Sequence, residues 1–125
     1  MTFFIVDDSR TARNLIKSYL GELNIGHDPA FLEAENGETA VVMLNSQSFD
    51  FAFLDWNMST KMTGLDVLKE IRKIDKYKHV PVVMITSEIE KTNVIESLKA
   101  GASDYIVKPI DTKIFKEKIT KLLKI

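Results

Sequence analysis

The 125-residue sequence predicts an α/β fold: a doubly wound five-stranded parallel sheet covered by five helices. Short apolar runs alternate with segments of helical spacing five times over. The runs near the middle of the chain are apolar on both faces, as strands covered by helices on both sides must be. No repeat, low-complexity tract or linker interrupts the pattern, so one domain spanning residues 1–125 is expected. Crossovers between parallel strands are right-handed in nearly all proteins, and sheets wound this way bind ligands beyond the carboxyl ends of their strands.

The first strand is Thr2–Val6 (TFFIV), and Ser9 is placed to cap a helix over Thr11–Leu23. The second strand, Ala30–Ala34 (AFLEA), leads to an Asn36 cap and a helix over Gly37–Asn45. The third, Phe51–Leu54 (FAFL), stops at Asp55. Thr63, with Asp66 three residues on, has the spacing of a capping box for Gly64–Lys73. The fourth strand is Val80–Ile85 (VPVVMI), and the helix Glu90–Ala100 meets a left-handed stop at Gly101. The fifth strand is Asp104–Val107 (DYIV), followed by a helix over Asp111–Leu123. In this last helix Ile114, Phe115, Ile119, Leu122 and Leu123 recur at core spacing, while Lys113, Lys116, Lys118, Lys121 and Lys124 form a solvated face that would also suit an acidic partner.

Composition excludes several classes of function. A net charge of −1, from 17 basic and 18 acidic residues, gives no overall preference for nucleic acid or an anionic membrane. The absence of cysteine removes disulfides, thiolate catalysis and sulfur-ligated zinc, and fits a reducing cytoplasm. MTFFIV runs into DDSR too soon for a signal peptide or a membrane span, so a cytoplasmic protein is expected. His27 and His79 fall in expected loops and take no role.

Chemistry is concentrated at the strand ends. Asp7 and Asp8 follow the first strand, Asp55 the third with Asn57 two beyond, Thr86 the fourth and Lys108 the fifth. Each alone is an ordinary turn or cap residue; together they converge on one crevice if the topology holds. Two unit charges about 4 Å apart repel by roughly 4 kcal/mol at an effective dielectric near 20, so three carboxylates there must raise one another's pKa or recruit a cation. An all-oxygen set without histidine or sulfur favours Mg²⁺, which keeps waters and gains affinity when phosphate adds oxygens. Asp55 would then attack phosphorus, Asp8 and Asp55 would hold Mg²⁺, and Lys108 and Thr86 would bind phosphoryl oxygens.

IVDDS around Asp7 and Asp8, EAENG at Glu33 to Gly37, LDWNM around Asp55, GLDVL from Gly64, VPVVMITSE through Thr86 and AGASDYIVKP through Lys108 resemble the receiver domains of two-component response regulators, in particular the CheY-like chemotaxis type. The resemblance covers almost the whole chain. It implies the flavodoxin-like receiver fold with strand order 2-1-3-4-5, phosphorylation of Asp55 by a sensor histidine kinase, and Mg²⁺ held directly by Asp8 and Asp55. Asn57 would offer the metal its backbone carbonyl, and Asp7 would act mainly through water. Lys108 would pair with the phosphoacceptor, and the Lys108-Pro109 bond would be cis. Thr86 and Tyr105 match the family's switch pair, and Lys91, Val94, Tyr105 and Lys118 its readout face. A monomer is implied that binds an output protein such as a flagellar motor switch component, without nucleic acid or membrane contacts, and that catalyses only its own phosphotransfer and dephosphorylation. Asn57 and Glu88 sit where relatives tune hydrolysis.

The loop after Asp55 departs from the family pattern. Ser59 stands where proline is usual, and one extra residue precedes Gly64. Ser59 should leave the loop more conformations to lose, and Thr63 in place of Asp removes a negative charge, so weaker or slower metal ordering is expected. The chain ends right after the fifth expected helix, which favours a freestanding switch over a relay intermediate or a receiver cut from a larger regulator. A small Mg²⁺-dependent phosphatase of the haloacid dehalogenase type also uses an Asp nucleophile. It expects an acid two residues later, where Asn57 has no proton to give.

Overall fold

The computed structural model describes residues 1–23, 25, 28–58, 60–87 and 91–125, and at residues 91 and 92 the backbone alone. Five parallel strands, β1 (Thr2–Val6), β2 (Ala30–Ala34), β3 (Phe51–Asp55), β4 (Val82–Ser87) and β5 (Asp104–Lys108), form one sheet in the order β2-β1-β3-β4-β5. Between and after them run α1 (Arg10–Gly21), α2 (Gly37–Leu44), α3 (Gly64–Arg72), α4 (Lys91–Lys99) and α5 (Thr112–Leu123). Expected sheet order and alternation are both borne out.

Alternation along each strand sends its side chains to two cores. Phe3, Ile5, Phe51, Phe53, Val83, Ile85 and Ile106 meet Ile16 and Leu20 of α1 and Phe115 and Ile119 of α5. Phe4, Val6, Ala52, Leu54 and Met84 meet Ala40 and Leu44 of α2 and Val67, Leu68 and Ile71 of α3 on the opposite face. The first core is held by an aromatic chain: the rings of Phe3 and Phe51 lie 5.6 Å apart, Phe51 and Phe53 5.0 Å, and Phe53 and Phe115 5.6 Å. Such pairs add about 0.5–1.5 kcal/mol each beyond the area they bury. Because β3 is wholly buried and its neighbour β1 is buried from Phe3 to Val6, their carboxyl ends are fixed side by side.

The caps read from the sequence are present. Ser9 accepts from the Ala12 N–H at 3.2 Å and Asn36 from Thr39 at 2.8 Å. Thr63 and Asp66 form a reciprocal capping box, with bonds of 3.2 and 3.0 Å. Gly101 adopts φ +108° at the end of α4, as a left-handed stop requires, and Lys108-Pro109 is cis.

Several boundaries differ from expectation for local reasons. Val80 donates to the Tyr77 carbonyl and belongs to a turn after a 3-10 segment, Asp75–Tyr77, which the sequence did not announce. Strand β4 therefore begins at Val82 and runs on to Ser87, which pairs with Lys108. Asp111 is the cap of α5 and not its first residue, accepting from Ile114 at 3.0 Å. Helix α1 stops at Gly21, where the Glu22 N–H turns back to Leu20 and Tyr19.

Gly64 is the tightest backbone approach near the strand ends. A Cβ there would collide with the Asp55 carbonyl oxygen, lying also 2.9 Å from the carbonyl carbon, while the Gly64 N–H donates to Trp56 at 3.0 Å. Gly64→Ala should therefore lower stability by about 1–3 kcal/mol, the usual cost of overpacking. Gly21→Ala, with nothing within 4 Å of the added methyl, should raise it by about 0.4–1 kcal/mol. Urea midpoints of the two variants check the pair, and equal shifts would contradict the packing at Gly64.

Candidate functional site

The register carries the acidic cluster directly. Val6 pairs with Leu54, so the next residues, Asp7 and Asp55, leave adjacent strands together. Both are buried, whereas Asp8, one residue further and off the strand, is exposed. Ligand atoms from Asp7, Asp8 and Asp55 lie within 4.8 Å of one another. Lys108, at the end of β5, spans the gap left by β4 and donates to Asp7 Oδ2 at 3.1 Å and Asp55 Oδ2 at 3.2 Å. Its ammonium is one positive charge against three carboxylates.

That imbalance sets the protonation of the site. Burial foremost, then the charge of Asp7 and less so that of Asp8, push the Asp55 carboxyl up to about 6, against the opposing pull of Lys108. Burial acts to lower the Lys108 pKa, but the Asp55 and Asp7 carboxylates outweigh it and the net shift is upward, so the ammonium stays charged. Three hard-oxygen donors in excess of their counter-charge are the donor set a divalent cation with oxygen preference uses. The residues present fit Mg²⁺.

The remaining expected groups are spread over β4, β5, α4, α5 and two connecting segments. Asn57 lies just beyond Asp55 at the exposed start of the β3–α3 loop. Thr86 is buried at the end of β4, its hydroxyl donating to the Ser87 carbonyl at 3.3 Å. Met84 pairs with Tyr105, so Thr86, two residues on, and Tyr105 project from the same face of neighbouring strands. The Tyr105 ring is half-buried, and Lys118 Nζ sits 4.2 Å above its centroid while bonding the Tyr105 carbonyl at 2.5 Å and Asp104 at 3.1 Å. Val94 is half-buried on α4, and His79 is exposed in a turn. Ser59, Glu88 and His27 lie outside the described residues, as does the side chain of Lys91.

Three contacts escaped the sequence reading. Arg13 on α1 donates to the Asp7 carbonyl at 2.6 Å. Thr60 donates to Glu38 at 2.6 Å, and Met62 packs so closely on Gly37 that a Cβ there would lie 2.5 Å from its own. The described part of the longer loop is thus tied to the start of α2. Arg13 follows Ser9 by one helical turn, which places it over the strand end; that spacing was the available signal.

The raised Asp55 pKa makes a pH prediction. Its folded value of about 6 exceeds the unfolded value near 3.9, so the metal-free folded state binds the proton more tightly. This contribution is complete below about pH 4 and is lost as pH rises through about 6. Asp55→Asn should therefore stabilise the metal-free protein at neutral pH by about 1–2 kcal/mol, allowing for screening at the open side of the crevice. The gain should shrink toward pH 4, as urea denaturation across that range would show; a pH-independent difference would contradict the assignment.

Among known proteins, residues 3–120 match the family model of the response regulator receiver domain. The chain is 43% identical over 122 residues to the chemotaxis protein CheY of Pseudomonas aeruginosa, covering 98% of this chain and 95% of that protein. It is 41% identical over 124 residues to the chemotaxis protein CheY1 of Helicobacter pylori, with coverage of 98% and 97%. The solved structure of the chemotaxis response regulator CheY4 of Vibrio cholerae superposes with a TM-score of 0.83 at 26% identity, covering 97% of each chain. A putative response regulator from Chloroflexus aurantiacus, at 24% identity, shares the fold with a TM-score of 0.84 over 99% of this chain and 98% of that one. Among the described residues no helix is long and apolar enough to cross a membrane. An acidic crevice at the topological switch point and a family match along nearly the whole chain agree: the full-length relatives named above are chemotaxis proteins, and this chain belongs to the response regulator receiver domains.

Proposed function

We propose that the chain is a phospho-switch in which Asp55 accepts a phosphoryl group from a phosphohistidine of a sensor kinase. The observation that carries this reading is the placement of Asp55: a buried carboxylate, 3.2 Å from an ammonium, with two further carboxylates within metal-sharing distance. Mg²⁺, when bound, would neutralise the acidic cluster and the developing charge on the transferring group. Asp8 and Asp55 would hold it, with the backbone carbonyl of Asn57. Both Asp7 oxygens already have donors, Lys108 and the Ser9 N–H at 2.9 Å, which favours a contribution through water.

In the transfer an Asp55 oxygen forms the bond to phosphorus as the bond from phosphorus to the donor imidazole nitrogen breaks, and that nitrogen leaves to take up a proton from water. Lys108 keeps its ammonium charged beside Asp55 and is placed to follow the phosphoryl oxygens. Phosphoryl transfer asks mainly for positioning and charge neutralisation, and the buried carboxyl ends of β1 and β3 supply the first. Asn57 cannot act as a general acid, so turnover of a small ester with a poor leaving group is disfavoured.

The output would pass through Thr86 and Tyr105. A phosphoryl group on Asp55 would draw the Thr86 hydroxyl from its 3.3 Å bond to Ser87, opening space on the face that Tyr105 shares. The ring would turn inward, giving up the Lys118 ammonium that now covers it. Val94, Tyr105, Lys118 and Lys91 would change together as a face for an output protein. The similarity to chemotaxis proteins along 98% of the chain favours a motor switch component over a relay histidine.

Incubation with acetyl phosphate and Mg²⁺ followed by intact-mass spectrometry tests the reading. Wild type should gain one phosphoryl group, and Asp55→Asn none. An adduct that persists in the variant would place the chemistry elsewhere. Trp56, the sole tryptophan and adjacent to Asp55, should report Mg²⁺ binding through its fluorescence.

A further inference from the structure

The three acids of the site are not held alike. Asp7 has a donor on each carboxylate oxygen, and Asp55 has Lys108. Asp8 is exposed and lies beyond the end of β1, so the course of its backbone bears directly on where its carboxylate can reach. That backbone is gripped on both sides of Asp7. The Asp7 N–H donates to the Ala34 carbonyl at 3.1 Å, and Arg13 Nη1 donates to the Asp7 carbonyl at 2.6 Å. The guanidinium is itself restrained, since Nε donates to Glu33 Oε1 at 3.0 Å while Lys17 takes Oε2 at 3.0 Å. Only 13% of the Arg13 side chain is exposed.

We propose that Arg13, steered by Glu33, is a positioning residue that sets the Asp7–Asp8 peptide plane and thereby aims the Asp8 carboxylate at the cation it shares with Asp55. A peptide unit is planar, so fixing its oxygen fixes the direction in which the chain enters Asp8. What remains free is the rotation about Asp8 itself and its short side chain. A bidentate fork suits this task better than a lysine, because it holds the Asp7 carbonyl and the Glu33 carboxylate at once. The inference rests on the metal-dependent reading proposed above.

The sign of one substitution separates positioning from charge. Arg13 brings a cation close to the metal site, so on charge alone its removal would tighten Mg²⁺ binding. Positioning demands the opposite. Groups that orient a metal ligand without touching the metal are commonly worth 10–100-fold in affinity.

Mg²⁺ titrations of wild type, Arg13→Met, Arg13→Lys and Glu33→Ala, read by Trp56 fluorescence and by calorimetry, test the proposal, with metal-free thermal midpoints measured alongside. Arg13→Met should weaken the Mg²⁺ Kd by about tenfold. Arg13→Lys, which reaches one acceptor but not two, should recover part of the loss. Glu33→Ala, titrated in about 1 M NaCl so that the lost carboxylate charge is screened, should weaken binding severalfold with the Arg13 charge in place, and serves if Arg13→Met folds poorly. A Kd for Arg13→Met equal to or tighter than wild type, or an unchanged Kd for Glu33→Ala, would overturn the inference and leave the metal reading standing. Absence of any Mg²⁺ response in wild type would overturn both.

Discussion

Asp7 and Asp55 share one ammonium, and the rest of the molecule answers to that pairing. Two like charges at the ends of adjacent strands repel, and Lys108 alone does not balance them once Asp8 is counted. An isolated pair of such strands would splay at that end. Here the splay is resisted by the sheet itself, whose central strands are buried on both faces and joined by the run of rings from Phe3 to Phe115. The hydrophobic core thus holds the site at a spacing its own electrostatics disfavour. An excess of negative charge is kept where a cation can relieve it.

The loops make the same compromise in smaller steps. Gly64 lets the β3–α3 loop close against the Asp55 carbonyl, and the Thr63–Asp66 box secures α3 immediately beyond. Proline is absent at position 59, but Thr60 and Met62 attach the loop to the first turn of α2. Restraint on the described part of this loop therefore comes from tertiary contacts. On the other side Arg13 joins α1 to the end of β1 while Glu33 joins it to β2. The described elements on the acidic side of the crevice are thus tied across to their neighbours.

Elements whose signal is local were legible in the sequence, and those that depend on distant partners were not. Four of the five strands, the Ser9, Asn36 and Thr63 caps and the Gly101 stop follow from nearby residues and stand within a residue of expectation. Asp7, Asp55 and Lys108 could be brought together only because the alternation of strands and helices allows few topologies. The sheet order itself came from family likeness. By contrast, the start of β4 was missed because Val80 closes a turn on Tyr77, a contact that apolar content hides. Arg13 was overlooked because its acceptor is a backbone oxygen, and a carbonyl carries no residue identity to read. The clasp of Arg72 on the carbonyls of Tyr77, Val80 and Gly101 was invisible for the same reason.

That clasp bears on how the fold divides rigid from adjustable parts. Arg72 makes two bonds to Gly101, at 3.0 and 2.8 Å, and two more to the carbonyls preceding β4, fixing the carboxyl end of α4 to α3. Burial opposes its ionisation and lowers its pKa, yet a guanidinium remains charged at any ordinary pH, so the restraint is permanent. At the end of β4 the Thr86 hydroxyl has, among the described residues, a 3.3 Å bond to its neighbour's carbonyl, and Tyr105 rests beneath a lysine at the surface. The acidic side of the site is tied from three directions, while the side facing Thr86 and Tyr105 is held by contacts that cost little to exchange. On the phospho-switch reading proposed above, a change of charge at Asp55 would be accommodated there and not by separating β1 from β3.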